Sequence, residues 1–372
     1  MSGLSAYTCT PRQIRRYIIR CMKARRVPFI KSSPAMGKSA LVASIAAEYG
    51  LMLIDHRLST STPEDLSGLP KFITTVNGVE KASFVPFDFF PVEGDELPLL
   101  PGETERKFNA AGQCTNCYQG WLVFLDEFNS TAKAVQAAAY KLVLDKMTGQ
   151  AKLHQNVVIV AAGNLATDRA IVNPIGTAMQ SRLIHLKMVL DHTEFMEDVA
   201  FKYGWDSRII AFLNYKKTAL HDFRPDHNDE TFCSPRTWEF MNDLIRGEEV
   251  KEEDAALYAG TITSGTAVEF ITFTKVFNDL PTIKEITEDP LAAKLPADSA
   301  TKYATITHLM EHANDDNFTP ITEYVTRLGG DYRVLFFRGL MVQKPDLKKH
   351  LAFRRALVEL SRYLHDDLAA AA

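Results

Sequence analysis

The 372-residue sequence predicts an α/β protein, a parallel sheet sandwiched by helices and followed by a long helical region. Two observations predict it. Short, wholly apolar runs recur between residues 27 and 190 and alternate with stretches of helical spacing, the pattern of strands buried on both faces. Beyond about residue 190 the strand signal fades while helical spacing continues. Three domains are expected: an α/β core over 1–190, a helical segment over 191–288 and a C-terminal helical extension over 289–372.

The elements follow in order. Thr10-Pro11-Arg12-Gln13 is a helix start, with Thr as N-cap, Pro at the first helical position and Gln reaching back from the third. Ile14, Tyr17, Ile18 and Cys21 form its apolar face. Arg12, Arg15, Arg16, Arg20, Lys23, Arg25 and Arg26 supply basic residues to the other face and the end of the segment. Val27–Ile30 is a strand, Leu41–Tyr49 an Ala-rich helix stopped by Gly50, and Leu51–Ile54 a second strand. Ser59–Pro70 is polar and turn-rich, and Phe84–Gly102, with its prolines and phenylalanines, is an irregular loop. Trp121–Leu125, Val157–Ala162 and Leu183–Leu190 are further strands, and Ala132–Lys146 is a helix. Helices are then expected at Glu194–Tyr203, Ser207–Lys216, Pro235–Arg246 and Asp254–Leu280. Asp289–Ala300 reads as a linker, and Phe353–Leu364 as the last amphipathic helix.

Composition narrows the function. With 42 basic and 46 acidic residues the formal charge is −4, which excludes a globally basic nucleic-acid coat and an acidic disordered chain. The five cysteines are few and scattered, so free thiols and a cytoplasmic setting are expected. No run approaches a transmembrane span and the first residues lack an apolar signal core, so no membrane partner is expected.

The chemistry concentrates at three strand ends. Ser33-Pro34-Ala35-Met36-Gly37-Lys38-Ser39-Ala40 lies between a strand and a helix. A phosphate-cradling loop needs backbone amides wrapped around the anion, a lysine for the β- and γ-phosphates and a hydroxyl for Mg²⁺. Gly37, Lys38 and Ser39 stand where those roles require, while Ser32 and Ala35 occupy the two usual glycine positions. The strand Trp121–Leu125 delivers Asp126 and Glu127. Asp126 suits Mg²⁺ and Glu127 suits polarising the water that attacks a γ-phosphate. The strand Val157–Ala162 ends at Gly163-Asn164, and Asn164 suits orienting that water; by itself it equally suits a turn or a helix cap.

Taken in order, these motifs, with Arg182 and Ser234-Pro235-Arg236, resemble an AAA+ ATPase of the P-loop NTPase class, closest to its MoxR-like branch. Asp65-Leu66-Ser67-Gly68-Leu69-Pro70 and Leu125-Asp126-Glu127-Phe128-Asn129 are similar to segments of that branch. The resemblance covers about residues 11–280. It implies ATP and Mg²⁺ as cofactors, Lys38 and Ser39 as the Walker A pair, and Asp126 and Glu127 as the Walker B pair. It further implies Asn164 as sensor 1, Arg182 as an arginine finger acting on a neighbouring subunit, with Arg169 as the rival, and Arg236 as sensor 2 on a helical lid. The implied assembly is a homo-oligomer, a hexameric ring, remodelling a protein partner such as a von Willebrand factor A-domain protein. Two other functions stand beside it: a nucleic-acid motor or loader, supported by the basic first helix, and a non-hydrolysing nucleotide-gated scaffold, supported by the departures at Ser32 and Ala35.

Cys114-x-x-Cys117 invites a zinc site, but no second ligand pair accompanies it, and two thiols in an insert are expected. The Phe-rich loop Phe84–Phe90 is either a partner-facing element or a cap on the sheet.

Overall fold

A computed structural model describes residues 8–74, 76–168, 172–361 and 363. These form two compact units, the first running to Val189 and the second beginning at Leu190.

In the first unit the strands are β1 (Thr8–Cys9), β2 (Val27–Ser32), β3 (Leu51–Arg57), β4 (Leu69–Thr74), β5 (Glu80–Val85), β6 (Gly120–Asp126), β7 (Met147–Thr148), β8 (Ala151–Lys152), β9 (Val157–Asn164) and β10 (Leu183–Met188). The helices are α1 (Pro11–Lys23), α2 (Lys38–Glu48), α3 (Pro63–Ser67), α4 (Lys133–Leu144) and α5 (Thr177–Gln180). Six strands form one parallel sheet in the order β1-β10-β2-β9-β6-β3. Its centre is apolar throughout: Phe29, Val123, Leu125, Ile159 and Ala161 are buried in one cluster with residues of α4 such as Val135, Ala139 and Leu142. The chain passes from β2 to the far edge at β3, returns through β6 and β9, and crosses β2 to reach β10. The connections that leave the neighbouring strands β2 and β9 therefore run in opposite directions along the sheet, and crevices for ligands open at the carboxyl ends beside such a switch point.

The expected capping of α1 is present: Gln13 N–H donates to Thr10 Oγ1 at 3.4 Å, and Thr10 N–H donates to Gln13 Oε1 at 3.0 Å. Ile14, Ile18 and Cys21 are its buried face.

Several local expectations change. β4 pairs antiparallel with β5, so Leu69 and Pro70 at the end of the turn-rich stretch and Phe84 and Val85 at the start of the expected loop lie in strands. The residues of this hairpin are almost all exposed, Phe72 at 80%, so no alternation between a buried and a solvated face marks it. The Phe-rich loop caps the sheet. Phe90 is buried in the core cluster, and Phe89 stacks on His56 with ring centroids 5.3 Å apart. Cys114 and Cys117 are joined as a disulfide, not two free thiols, because the turn between them brings their Cα atoms to 5.6 Å, within the span such a bond bridges. Among the described residues no group of three or more His, Cys, Asp or Glu side chains could hold a metal ion.

The second unit is helical: α6 (His192–Phe195) continuing into a π-helical turn Met196–Phe201, α7 (Ser207–Tyr215), α8 (Pro235–Ile245), α9 (Ala255–Ile262), α10 (Ser264–Thr274), α11 (Ile283–Glu288), α12 (Ser299–His312), α13 (Phe318–Leu328), α14 (Gly330–Gln343) and α15 (Leu351–Glu359). The expected single helix over Asp254–Leu280 is two helices. Thr263 takes a positive φ of 78° between them and its hydroxyl accepts from Thr266 N–H, capping α10. The last expected helix extends to positions 362 and 364, which lie outside the described residues. Trp238, Phe212 and Phe270 share one core with Phe318, Phe336, Phe337 and Phe353, so helices on either side of the linker pack together. The linker is pinned: Tyr324 Oη donates to Lys294 O at 2.8 Å, and Arg327 donates to the carbonyls of Pro290 and Ala293. Among the described residues no helix is long and apolar enough to cross a membrane.

Candidate functional site

The carboxyl ends of β2, β9 and β6 carry the predicted residues side by side. Ser32 lies opposite Asn164 in the β2–β9 register, and Leu125 lies opposite Ala161 between β6 and β9. The parallel register is what brings residues more than a hundred positions apart to one rim.

The loop Ser33–Gly37 turns from β2 into α2. Gly37 takes φ 79° as the N-cap of α2, a left-handed position that glycine fills without steric cost. Ala35 takes φ 58°, where a Cβ costs about 1–2 kcal/mol, so this loop has the local bend that glycine usually supplies but carries strain instead. The first backbone bond of α2 runs from Leu41 N–H to Gly37 O at 3.0 Å. The amides of the preceding turn, from Lys38 to Ala40, form the helix N-terminus, where anions are favoured. Lys38 is buried, and its ammonium donates to Ser32 Oγ at 2.9 Å and to Ser33 O at 3.3 Å. Ser32 is fully buried and turns its hydroxyl inward, replacing a glycine with a side-chain acceptor for the lysine.

Across the rim, Ser39 Oγ donates to Asp126 Oδ2 at 3.3 Å. Asp126 Oδ1 accepts from Glu127 N–H at 2.8 Å. Glu127 itself takes φ 56° and opens a tight turn closed by Ser130 N–H on Glu127 O at 2.9 Å. That bend separates the two carboxylates, leaving Asp126 toward Ser39 while Glu127 accepts a hydrogen bond from Ser59 Oγ. On the neighbouring strand, burial and then the charge of Asp126 push the Asp55 carboxyl above its ordinary range. His56 is pulled down by burial; its Nε2 lies 2.9 Å from Ser61 Oγ.

Asn164 is held through its backbone. Asn129 Nδ2 donates to Asn164 O at 2.8 Å, and Asn164 N–H donates to Asn129 Oδ1 at 3.0 Å. Gly163 makes that clamp possible, because a Cβ there would run into Asn129 Oδ1, sit 2.8 Å from its Cγ and 3.0 Å from Phe29 Cζ. The clamp leaves the side chain of Asn164 at the rim, with Nδ2 3.5 Å from Ser130 Oγ.

Lys38, Ser39, Asp126, Glu127 and Asn164 thus meet at one end of the sheet. Arg182 does not join them. It sits in the turn before β10, whose first residue, Leu183, is opposite Val27, so it lies at the other pole of β2, about 20 Å from the loop at strand rise. It is exposed, and its guanidinium donates to Ala178 O at 2.7 Å. Arg236 is exposed in the first turn of α8 in the second unit, behind the N-cap Ser234 and Pro235. Arg169 lies outside the described residues.

Sequence reasoning missed Ser59, Asn129, Asp55 and His56. Ser59 and Asn129 are single polar residues whose spacing from their partners, 68 and 35 positions, carries no local signature. Asp55 and His56 follow the apolar run Leu51–Ile54 at the carboxyl end of β3, and that position at a strand end was the available signal.

The rim can take a polyphosphate. Its helix N-terminus and buried ammonium suit the anion. A hydroxyl and a carboxylate in contact, near Asp55, whose ionisation burial and then the charge of Asp126 disfavour, suit a small hard cation that takes its remaining ligands from phosphate and water. No protein-family model matches the chain, and no curated protein does. Among solved structures it is similar to a candidate ATPase from Cytophaga hutchinsonii, at 12% identity and TM-score 0.33 over 94% of this chain and 88% of that one. It is similar to NtrX from Brucella abortus at 14% identity and TM-score 0.35, over 100% and 70%. The RuvB Holliday junction branch migration motor of Thermotoga maritima matches at 12% identity and TM-score 0.36, over 72% and 74%. Likeness this weak is of outline alone, and the site stands on this chain's own residues.

Proposed function

We propose that the chain is a Mg²⁺-dependent ATPase of the AAA+ type, MoxR-like, acting as a hexameric ring that remodels a protein partner of the von Willebrand factor A-domain class. The contact between Ser39 and Asp126 carries the nucleotide part. It brings a helix-start hydroxyl and a strand-end carboxylate together across 87 positions, next to Lys38 and Glu127. The ring and the partner rest on the resemblance of the ordered motifs.

In this reading the loop amides and the Lys38 ammonium bind the β- and γ-phosphates, the lysine exchanging the neutral oxygens of Ser32 and Ser33 for phosphate. Ser39 and Asp126 hold Mg²⁺, which supplies neutralisation of charge on the phosphate oxygens. Asn164 orients a water and Glu127 accepts its proton as the water oxygen bonds to the γ-phosphorus. The bond from that phosphorus to the β-phosphate oxygen breaks, and ADP and phosphate leave. Glu127 must give up the Ser59 hydroxyl or share its carboxylate to do this. Arg182 faces away from its own loop and serves the next copy's γ-phosphate, while Arg236 belongs to the lid.

Mg²⁺-ATPase assays of the wild type, Lys38→Ala and Glu127→Gln test the reading. Losing a phosphate donor or the general base should each lower turnover by about 10²–10³. Equal rates in all three overturn it. Mixing Glu127→Gln with Arg182→Ala subunits tests the ring: turnover regained from sites that pair an intact Glu127 with a neighbour's Arg182 supports it, and no regain removes Arg182 from that role.

A further inference from the structure

At the opposite end of the same sheet lies a cavity of about 460 Å³ that the ATPase reading does not use. It opens at the amino-terminal ends of β6 and β9. The eight residues of β9 put it about 23 Å from the phosphate rim. Arg25, Arg26 and Lys146 line it, and no Asp or Glu does among the described residues. Met22, Leu144 and Leu153 give it an apolar wall. The volume is that of a small-molecule site.

Two features show that its charge is built in rather than incidental. Five non-glycine residues among those described take a positive φ: Ala35 and Glu127 at the phosphate rim, Arg25 at 53° and Lys146 at 54° in this cavity, and Thr263. Each costs about 1–2 kcal/mol, and glycine at the end of α1 or in the turn after α4 would avoid it. The chain keeps a cation at both positions, and strain of this kind collects at functional sites. Lys146 is moreover largely withdrawn from water with no side-chain partner among the described residues, and burial pulls its ammonium down to about 8. Arg25 is held across the mouth by one bond from Nη1 to Gln155 O at 3.0 Å, which leaves most of its donors unspent.

We infer that this cavity binds a small organic phosphate, its phosphoryl group on Arg25, Arg26 and Lys146 and its body against Met22, Leu144 and Leu153. Two guanidinium forks and a poorly hydrated ammonium favour a dianion over chloride or a monocarboxylate, and the apolar wall favours an ester over the inorganic ion.

Trace acetylation with acetic anhydride, read by peptide mass spectrometry, reports the reactivity of Lys146 relative to exposed lysines of the same molecule. AMP is the organic probe and inorganic phosphate the bare one, with sodium chloride at matched ionic strength. At ten times its dissociation constant AMP leaves about one tenth of the sites free, so Lys146 labelling should fall about tenfold while exposed lysines are unchanged. The protection should persist in Lys38→Ala and weaken in Arg26→Ala. No protection by AMP overturns the inference, as does equal protection by chloride. Inorganic phosphate protecting at the same concentration as AMP removes the organic body. Protection lost in Lys38→Ala returns the effect to the nucleotide site, and protection by a single-stranded oligonucleotide with none by AMP assigns the cations to a polymer; either overturns it.

Discussion

The clamp between Asn129 and Asn164 makes a prediction with a sign that depends on geometry. Asn129→Ala removes two hydrogen bonds, at 2.8 and 3.0 Å, from the end of β9. At about 1 kcal/mol net for each, the loss is about 2 kcal/mol. Gly163→Ala places a methyl group where the Asn129 amide now sits. It breaks the same two bonds and adds about 1–3 kcal/mol of overpacking, for a total of about 3–5 kcal/mol. In the double variant the methyl enters space the amide has vacated, so the cost should return to about 2–3 kcal/mol, well below the 5–7 kcal/mol that independent sites would sum to. The contact with Phe29 Cζ at 3.0 Å sets the residue of that cost. Native-state hydrogen exchange of the β9 peptide across urea concentrations reads the opening of this unit by itself, apart from the helical one. Additive losses would refute the shared-space account and with it the claim that Gly163 exists to seat the clamp.

Three further predictions are read by stability or by turnover. Ala35→Gly should relieve the φ 58° strain, and after the entropy cost of glycine it should stabilise the first unit by about 0.5–1 kcal/mol; destabilisation in the same exchange experiment would refute it. Ser59→Ala frees the Glu127 carboxylate of a donor and should raise basal turnover several-fold with KM for ATP unchanged, so a fall in turnover removes Ser59 from control of the base. Lys146→Met should stabilise the unit at neutral pH by up to about 3 kcal/mol, since the wild-type ammonium falls from 10.5 to about 8 on folding. The unfolded chain then binds more protons between those values, so wild-type stability from this group rises with pH there. Arg25, Arg26 and His154 also line the cavity, so the advantage of Lys146→Met is read as a difference between the two proteins, and it should vanish as pH climbs from about 8 to 10.5.

The sheet and its phosphate rim were legible because their signals are local. An apolar run such as Trp121–Leu125 fits a strand buried on both sides, as the strands of a covered parallel sheet are, and the carboxylates that follow it then emerge at the carboxyl rim. Thr10 to Gln13 encode the start of α1 within four residues. Other features depend on residues distant in sequence. The exposed β4–β5 hairpin lacks the amphipathic alternation that marks a strand, and the break at Thr263 is marked only by Gly260 and the short polar run Thr263-Ser264-Gly265 within an otherwise helical stretch. Which polar groups serve the rim was decided only by register and strand order. The β2–β9 pairing sets Ser32 beside Asn164, the β3–β6 pairing brings Asp55 within reach of Asp126, and parallel alignment sends Arg182 to the far pole. A chain's periodicity determines which face each residue buries, whereas contact between distant strands depends on the packing of the whole core, and no short stretch of sequence contains that packing.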